Sequence, residues 1–79
     1  ISSNSIHLYP NPTTGKLNIS GIEDGYRIRI MNSTGTLIKE VVSETNNEVL
    51  DIRSHPAGMY LIIVSNDDQI LGRYKALKR

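Results

Sequence analysis

The stretch Lys16-Leu17-Asn18-Ile19-Ser20 alternates strictly between polar and apolar residues, and runs of its kind recur along the chain with turn-forming residues between them. A period of two marks a strand with one buried face, and recurrence every ~8–12 residues is the spacing of a sandwich or barrel. Seven such runs can be read: Ile6 to Tyr9, Lys16 to Ser20, Tyr26 to Met31, Thr36 to Val42, Glu48 to Arg53, Met59 to Ser65, and Gln69 to about Lys78. Alternation puts Leu17, Ile19, Tyr26, Ile28 and Ile30 inward and turns Arg27 and Arg29 to water. In the fourth run Leu37 and Ile38 are adjacent, as are Val41 and Val42, which predicts a bulge or a change of face. The sixth run is apolar on both faces and is expected to be the most buried strand. Helical periodicity is scarce, so the expected fold is all-β, a seven-stranded antiparallel immunoglobulin-like β-sandwich. The chain has no cysteine and no tryptophan, so the immunoglobulin landmarks are missing and the strand order stays open.

Two segments fix where the sheets begin. In Tyr9-Pro10-Asn11-Pro12 each proline ring sets φ and removes a backbone donor, and Pro12 pushes Asn11 toward extended geometry. In Pro56-Ala57-Gly58-Met59-Tyr60, Gly58 supplies a turn ahead of the apolar run Leu61 to Val64. Asn32-Ser33-Thr34-Gly35 reads as a tight hairpin connection, and Asp51 as a brace for the turn after the fifth run.

The 79 residues form one domain, near the lower limit at which an apolar core sustains a fold without disulfide or zinc staples. The polar start Ile1 to Ser5 is expected to be a linker leading in from an upstream part of a larger protein, and residues 6–79 the domain itself. No apolar run approaches the ~18–20 residues of a membrane span, and a net charge of +1 gives no ground for nucleic-acid binding.

Chemistry is sparse. The two histidines, His7 and His55, have no cysteine or carboxylate at ligand spacing, so no metal or other cofactor is expected. Asp51, Ser54 and His55 are neighbours in sequence, yet nothing in their spacing makes them converge as a triad, and no catalytic residue is assigned. Glu23-Asp24 and Asp67-Asp68 do not follow a calcium-loop pattern and read as solvated turn charges. Of the four tyrosines, Tyr26 and Tyr60 fall on inward faces, leaving Tyr9 and Tyr74 as surface rings for a sugar.

The charge distribution says more. After Asp68 there is no acidic residue, whereas Arg73, Lys75, Lys78 and Arg79 follow. Basic side chains on an edge strand block aggregation, and they can equally serve a partner that reads charge and adds a strand to the exposed edge. As the tip of an edge strand, Lys75 to Arg79 is expected to contribute little to the core.

Tyr9-Pro10-Asn11-Pro12 followed by Thr-Thr-Gly-Lys-Leu-Asn-Ile resembles the opening of the type A C-terminal sorting domain of the type IX (Por) secretion system. Ile30 to Gly35, Leu50-Asp51-Ile52, Gly58-Met59-Tyr60 and Lys75-Ala76-Leu77-Lys78 resemble later family elements in the same order. The resemblance implies a non-catalytic address. It directs a cargo across the outer membrane of a Bacteroidetes-type bacterium, is read by the translocon and shuttle proteins, and is removed by a sortase-like peptidase. It also implies that Gly58, Tyr60, Lys75, Leu77, Lys78 and Arg79 carry the signal, while Tyr9, Pro10, Asn11, Pro12, Gly35 and Asp51 shape the fold. His55 departs from the pattern, standing where the family usually has leucine, and is expected half-exposed because burying an unpaired polar group costs about 1–3 kcal/mol. The rival expectation is an accessory carbohydrate-binding or spacer module of a secreted glycoside hydrolase.

Overall fold

A computed structural model of the chain describes residues 6–67 and 69–79. Seven strands follow one another: β1 (His7–Tyr9), β2 (Lys16–Ser20), β3 (Arg27–Met31), β4 (Leu37–Val42), β5 (Asn47–Asp51), β6 (Gly58–Ser65) and β7 (Ile70–Lys78). The described residues contain no helix. All strand pairs are antiparallel and form two sheets, ordered β1-β2-β5 and β4-β3-β6-β7. The expected sandwich is therefore the observed one. β4 joins β3 rather than β5, a choice the sequence left open. The expected linker Ile1 to Ser5 lies outside the described residues.

Alternation works as read. Leu17 and Ile19 of β2, Ile28 and Ile30 of β3, Leu50 of β5, and Tyr60, Ile62 and Val64 of β6 meet in one core with Ile22, Ile52 and Ala76. Ile6, Leu8 and Tyr26 pack against it from the margins. Each fully buried aliphatic side chain contributes about 1.5–3 kcal/mol. The ion pairs Arg27–Glu40, Arg29–Glu40 and Arg53–Asp51 are exposed and screened by water, so apolar burial holds this fold together.

The irregular fourth run is a bulge. Ile30 pairs with Lys39 and Met31 with Leu37, so Ile38 is the extra residue and turns toward the core. β6 lies between β3 and β7 and is buried on its inner face, while Leu61 and Ile63 on its outer face are half-buried and Met59 is 44 % exposed. Its two-sided apolarity thus has a second consequence, an apolar outer sheet surface. The fifth strand stops at Asp51, two residues before the expected Arg53, because the Asp51 carboxylate turns back and accepts from the Arg53 amide at 3.0 Å.

Candidate functional site

The corner at Tyr9 to Pro12 reaches the last strand directly. Both X–Pro bonds are cis. Asn11 Nδ2 donates to the Lys75 carbonyl at 2.9 Å, and its Oδ1 accepts from the Leu77 amide at 3.0 Å. One side-chain amide thereby copies the donor and acceptor of a neighbouring strand. Thr13 continues the seam. Its amide donates to the Leu77 carbonyl at 2.8 Å, its carbonyl accepts from the Arg79 amide at 2.9 Å, and the segment runs parallel to β7. The edge of β7 is therefore closed from Lys75 to Arg79, the stretch that strand addition, one of the two readings of this basic edge, would need open. The tip also supplies fully buried Ala76, opposite Tyr60. This corrects the expectation that the tip adds little to the core.

Thr13 also braces the turn that follows the corner. It is almost fully buried, its hydroxyl donates to the Lys16 carbonyl at 2.6 Å and accepts from the Gly15 amide at 3.0 Å. Gly15 is required for a separate reason: a Cβ there would overlap Arg53 Cγ, and its φ is +146°.

The remaining assigned residues divide by face. Ala76, Tyr60 and Ile62 point inward, so their strand neighbours Lys75, Leu77, Met59 and Leu61 point outward. Tyr60 is 5 % exposed and its hydroxyl donates to the Pro56 carbonyl, bracing the turn ahead of β6. Gly58 opens that strand opposite Lys78, with φ +146° and open space around its Cα. Lys78 is half-buried and Arg79 exposed. Gly35 closes the β3–β4 turn at φ +87°, where Asn32 Oδ1 accepts from the amides of Thr34 at 3.1 Å and Thr36 at 2.9 Å. That turn overhangs a shallow depression of about 360 Å³ lined by Met31, Gly35, Met59, Leu61 and Lys75. Gly35 and Lys75 thus meet at one place, with Leu77 beside it, while Tyr60 underlies them and Asp51 belongs to the other sheet.

Two clusters have perturbed carboxylates. Hydrogen bonds from the Arg53 guanidinium, then from its amide, hold the Asp51 carboxyl far below the usual range, and Asp51 in turn raises Arg53. Arg27 and Arg29 lower Glu40 by hydrogen bonding to it. Ser54 lies on the open cleft beside Asp51 and Arg53, whereas His55 sits half-exposed in a separate hollow against the Asn32 turn and Tyr60. Among the described residues no three histidine or acidic side chains gather as metal ligands, and no helix is long and apolar enough to cross a membrane. Tyr9 is 49 % exposed on the outer face of the three-stranded sheet, but Tyr74 packs toward the core from β7. The two rings do not form one platform.

Comparisons with known proteins agree with this geometry. The family model described as the secretion system C-terminal sorting domain matches residues 7–75. A solved structure of PorZ from Porphyromonas gingivalis, described as an essential bacterial surface component of the type IX secretion system, superimposes with a TM-score of 0.78 at 18 % identity. The superposition covers 94 % of this chain and 11 % of that one, so the likeness is of one domain of a much longer protein. No curated protein matches the chain. A seven-stranded sandwich whose opening corner, Gly35 turn and first part of β7 fall within the matched span, the chain belongs to the family of secretion system C-terminal sorting domains.

Proposed function

We propose that this domain is the export address of a secreted or cell-surface protein of a Bacteroidetes-type bacterium. It is covalently continuous with an upstream cargo that holds any enzymatic activity. After passage through the periplasm, the type IX translocon and its shuttle proteins read the folded domain, and a sortase-like peptidase then removes it. The domain itself does no chemistry. The observation that supports this reading is the family match across residues 7–75. A sorting signal needs a surface and a stable body rather than a nucleophile and a base, and the clustering of Gly35, Lys75 and Leu77 outside the core fits that need.

The test is a fluorescent reporter carrying a signal peptide at one end and this chain at the other, expressed in a bacterium that has the system. Reporter is expected outside the cell or on its surface; retention in the periplasm overturns the reading. In the same samples the exported reporter should run smaller by about the 8.8 kDa of the domain. Full-length fusion outside the cell would remove the peptidase step and leave the address intact.

The rival, a carbohydrate-binding or spacer module of a secreted glycoside hydrolase, has one observation in its favour. Exposed Tyr9 lies beside Asn18 and Asn47 in an open depression. Glycan-array binding that disappears in Tyr9→Ala would favour it; no binding to any glycan removes it.

A further inference from the structure

The two outer faces of the sandwich differ. On the three-stranded sheet the cross-strand rows are His7–Ser20–Asn47, Tyr9–Asn18–Val49 and Lys16–Asp51, which are mainly polar. On the four-stranded sheet they are Met59–Leu77, Leu37–Met31–Leu61–Lys75, Glu40–Arg29–Ile63–Arg73 and Val42–Arg27–Ser65–Ile70. The end nearest the Gly35 turn is therefore apolar. The rest carries three cations, Arg27, Arg29 and Arg73, against the one carboxylate of Glu40, and Lys75 at the apolar end brings the whole face to a net of +3. Glu40 is already engaged by Arg27 and Arg29 at 3.0 and 3.2 Å. Among the described residues no carboxylate pairs with Arg73 or Lys75.

We infer that the outer face of the four-stranded sheet is a docking surface for a protein segment that presents apolar and acidic side chains together. This deepens the sorting reading and rests on it, naming the chemistry of whatever reads the domain. Apolar groups of the partner would cover Met31, Met59, Leu61 and Leu77, and its carboxylates would face Lys75 and Arg73. Charge complementarity of this kind selects partners and speeds encounter, while the apolar centre supplies the affinity. Methionine suits a surface that must accept more than one side-chain shape, because its thioether is unbranched and polarizable. The depression of about 360 Å³ beside Lys75 is large enough to seat one side chain. A protein fits better than an anionic membrane for a geometric reason. Met31, Leu61 and Ile63 are half-buried, and the more exposed Leu37, Met59 and Leu77 are set in the strands beside them, so the apolar residues of this face sit on the sheet and not on a projecting loop.

The experiment uses the reporter fusion with Arg73→Glu/Lys75→Glu, with Met59→Ser/Leu77→Ser, and with the opposite-face control His7→Glu/Val49→Ser. Export should fall at least tenfold for the first two and stay within twofold for the control, with melting temperatures of all the purified chains within a few degrees. A photo-cross-linker at Leu77, but not one at Val49, should capture a protein whose labelled peptide contains Asp or Glu beside apolar residues. If the unaltered fusion is not exported, the sorting reading falls and this proposal falls with it. If it is exported and the face variants are exported equally well, the proposal falls alone. Should a variant unfold, the Leu77 adduct decides: a basic labelled peptide or no adduct overturns the proposal. Binding of the unaltered chain to phosphatidylglycerol vesicles, lost in Arg73→Glu/Lys75→Glu and accompanied by no protein adduct, would overturn it in favour of a lipid surface.

Discussion

Asn11 places both ends of one side-chain amide on β7, and among the described residues nothing else offers the Lys75 carbonyl and Leu77 amide that pair of partners. Each such bond is worth about 0.5–1.5 kcal/mol, so Asn11→Ala should cost about 1–2 kcal/mol in urea unfolding and speed hydrogen exchange at the Leu77 amide. Gly15→Ala should be worse, at about 2–4 kcal/mol by the same measurement, because positive φ and the Arg53 side chain both oppose a Cβ. Asp51 gives a pH prediction. Its carboxyl is held below its unfolded value by Arg53, so the unfolded chain binds the proton first as pH falls. The stability from this pair is fully present above the ordinary carboxylate range and is lost only as pH drops through and below it. Asp51→Asn should therefore flatten the acid limb of a stability-against-pH curve and leave its shape near neutrality unchanged. Sequence alone pointed to Asp51 as a brace, since aspartate before a turn commonly bonds the backbone two residues on. It could not reveal the roles of Asn11 and Thr13, whose partners lie more than sixty residues away at Lys75 to Arg79. An early asparagine between two prolines announces a rigid corner and leaves its target unnamed.

Among the strands, β6 and β7 define the molecule. Ile62 is fully buried at the centre of β6, and its replacement by alanine should cost about 2–5 kcal/mol; Ile63→Ala, one residue on and facing outward, should cost clearly less in the same denaturation series. Equality of the two would mean that the outer face is covered as thoroughly as the core. The strands with clean alternation, Lys16 to Ser20 and Tyr26 to Met31, were legible almost to the residue because one face is buried and the other wet. β4 was legible only as irregular: adjacent Leu37 and Ile38 say that a bulge exists, and the pairing with β3 says where. β6 was the ambiguous one. Apolar residues on both faces suit a strand buried on both sides, and they equally suit a central strand with an outward face reserved for a partner. Period and composition are the same in the two cases, so only the placement of neighbouring strands distinguishes them.

At the level of the whole molecule one core serves both sheets, since Leu17, Ile19 and Leu50 from one meet Ile28, Ile30 and Ile62 from the other. Neither sheet can keep its buried face without the other, so circular dichroism and tyrosine fluorescence should report a single coincident unfolding transition in urea. The sandwich class followed from strand count and turn spacing, whereas the assignment of β4 to the larger sheet rests on long-range pairing that no local pattern encodes. The parallel run of Thr13 beside β7 has a mechanical consequence. Tension applied between the two ends of the chain loads the Thr13 and Asn11 bonds together, sideways along the strand axis, instead of parting them one after another. Single-molecule stretching from those ends should meet a high rupture force that drops sharply in Asn11→Ala, so the closing seam makes the domain a mechanical clamp as well as a folded body.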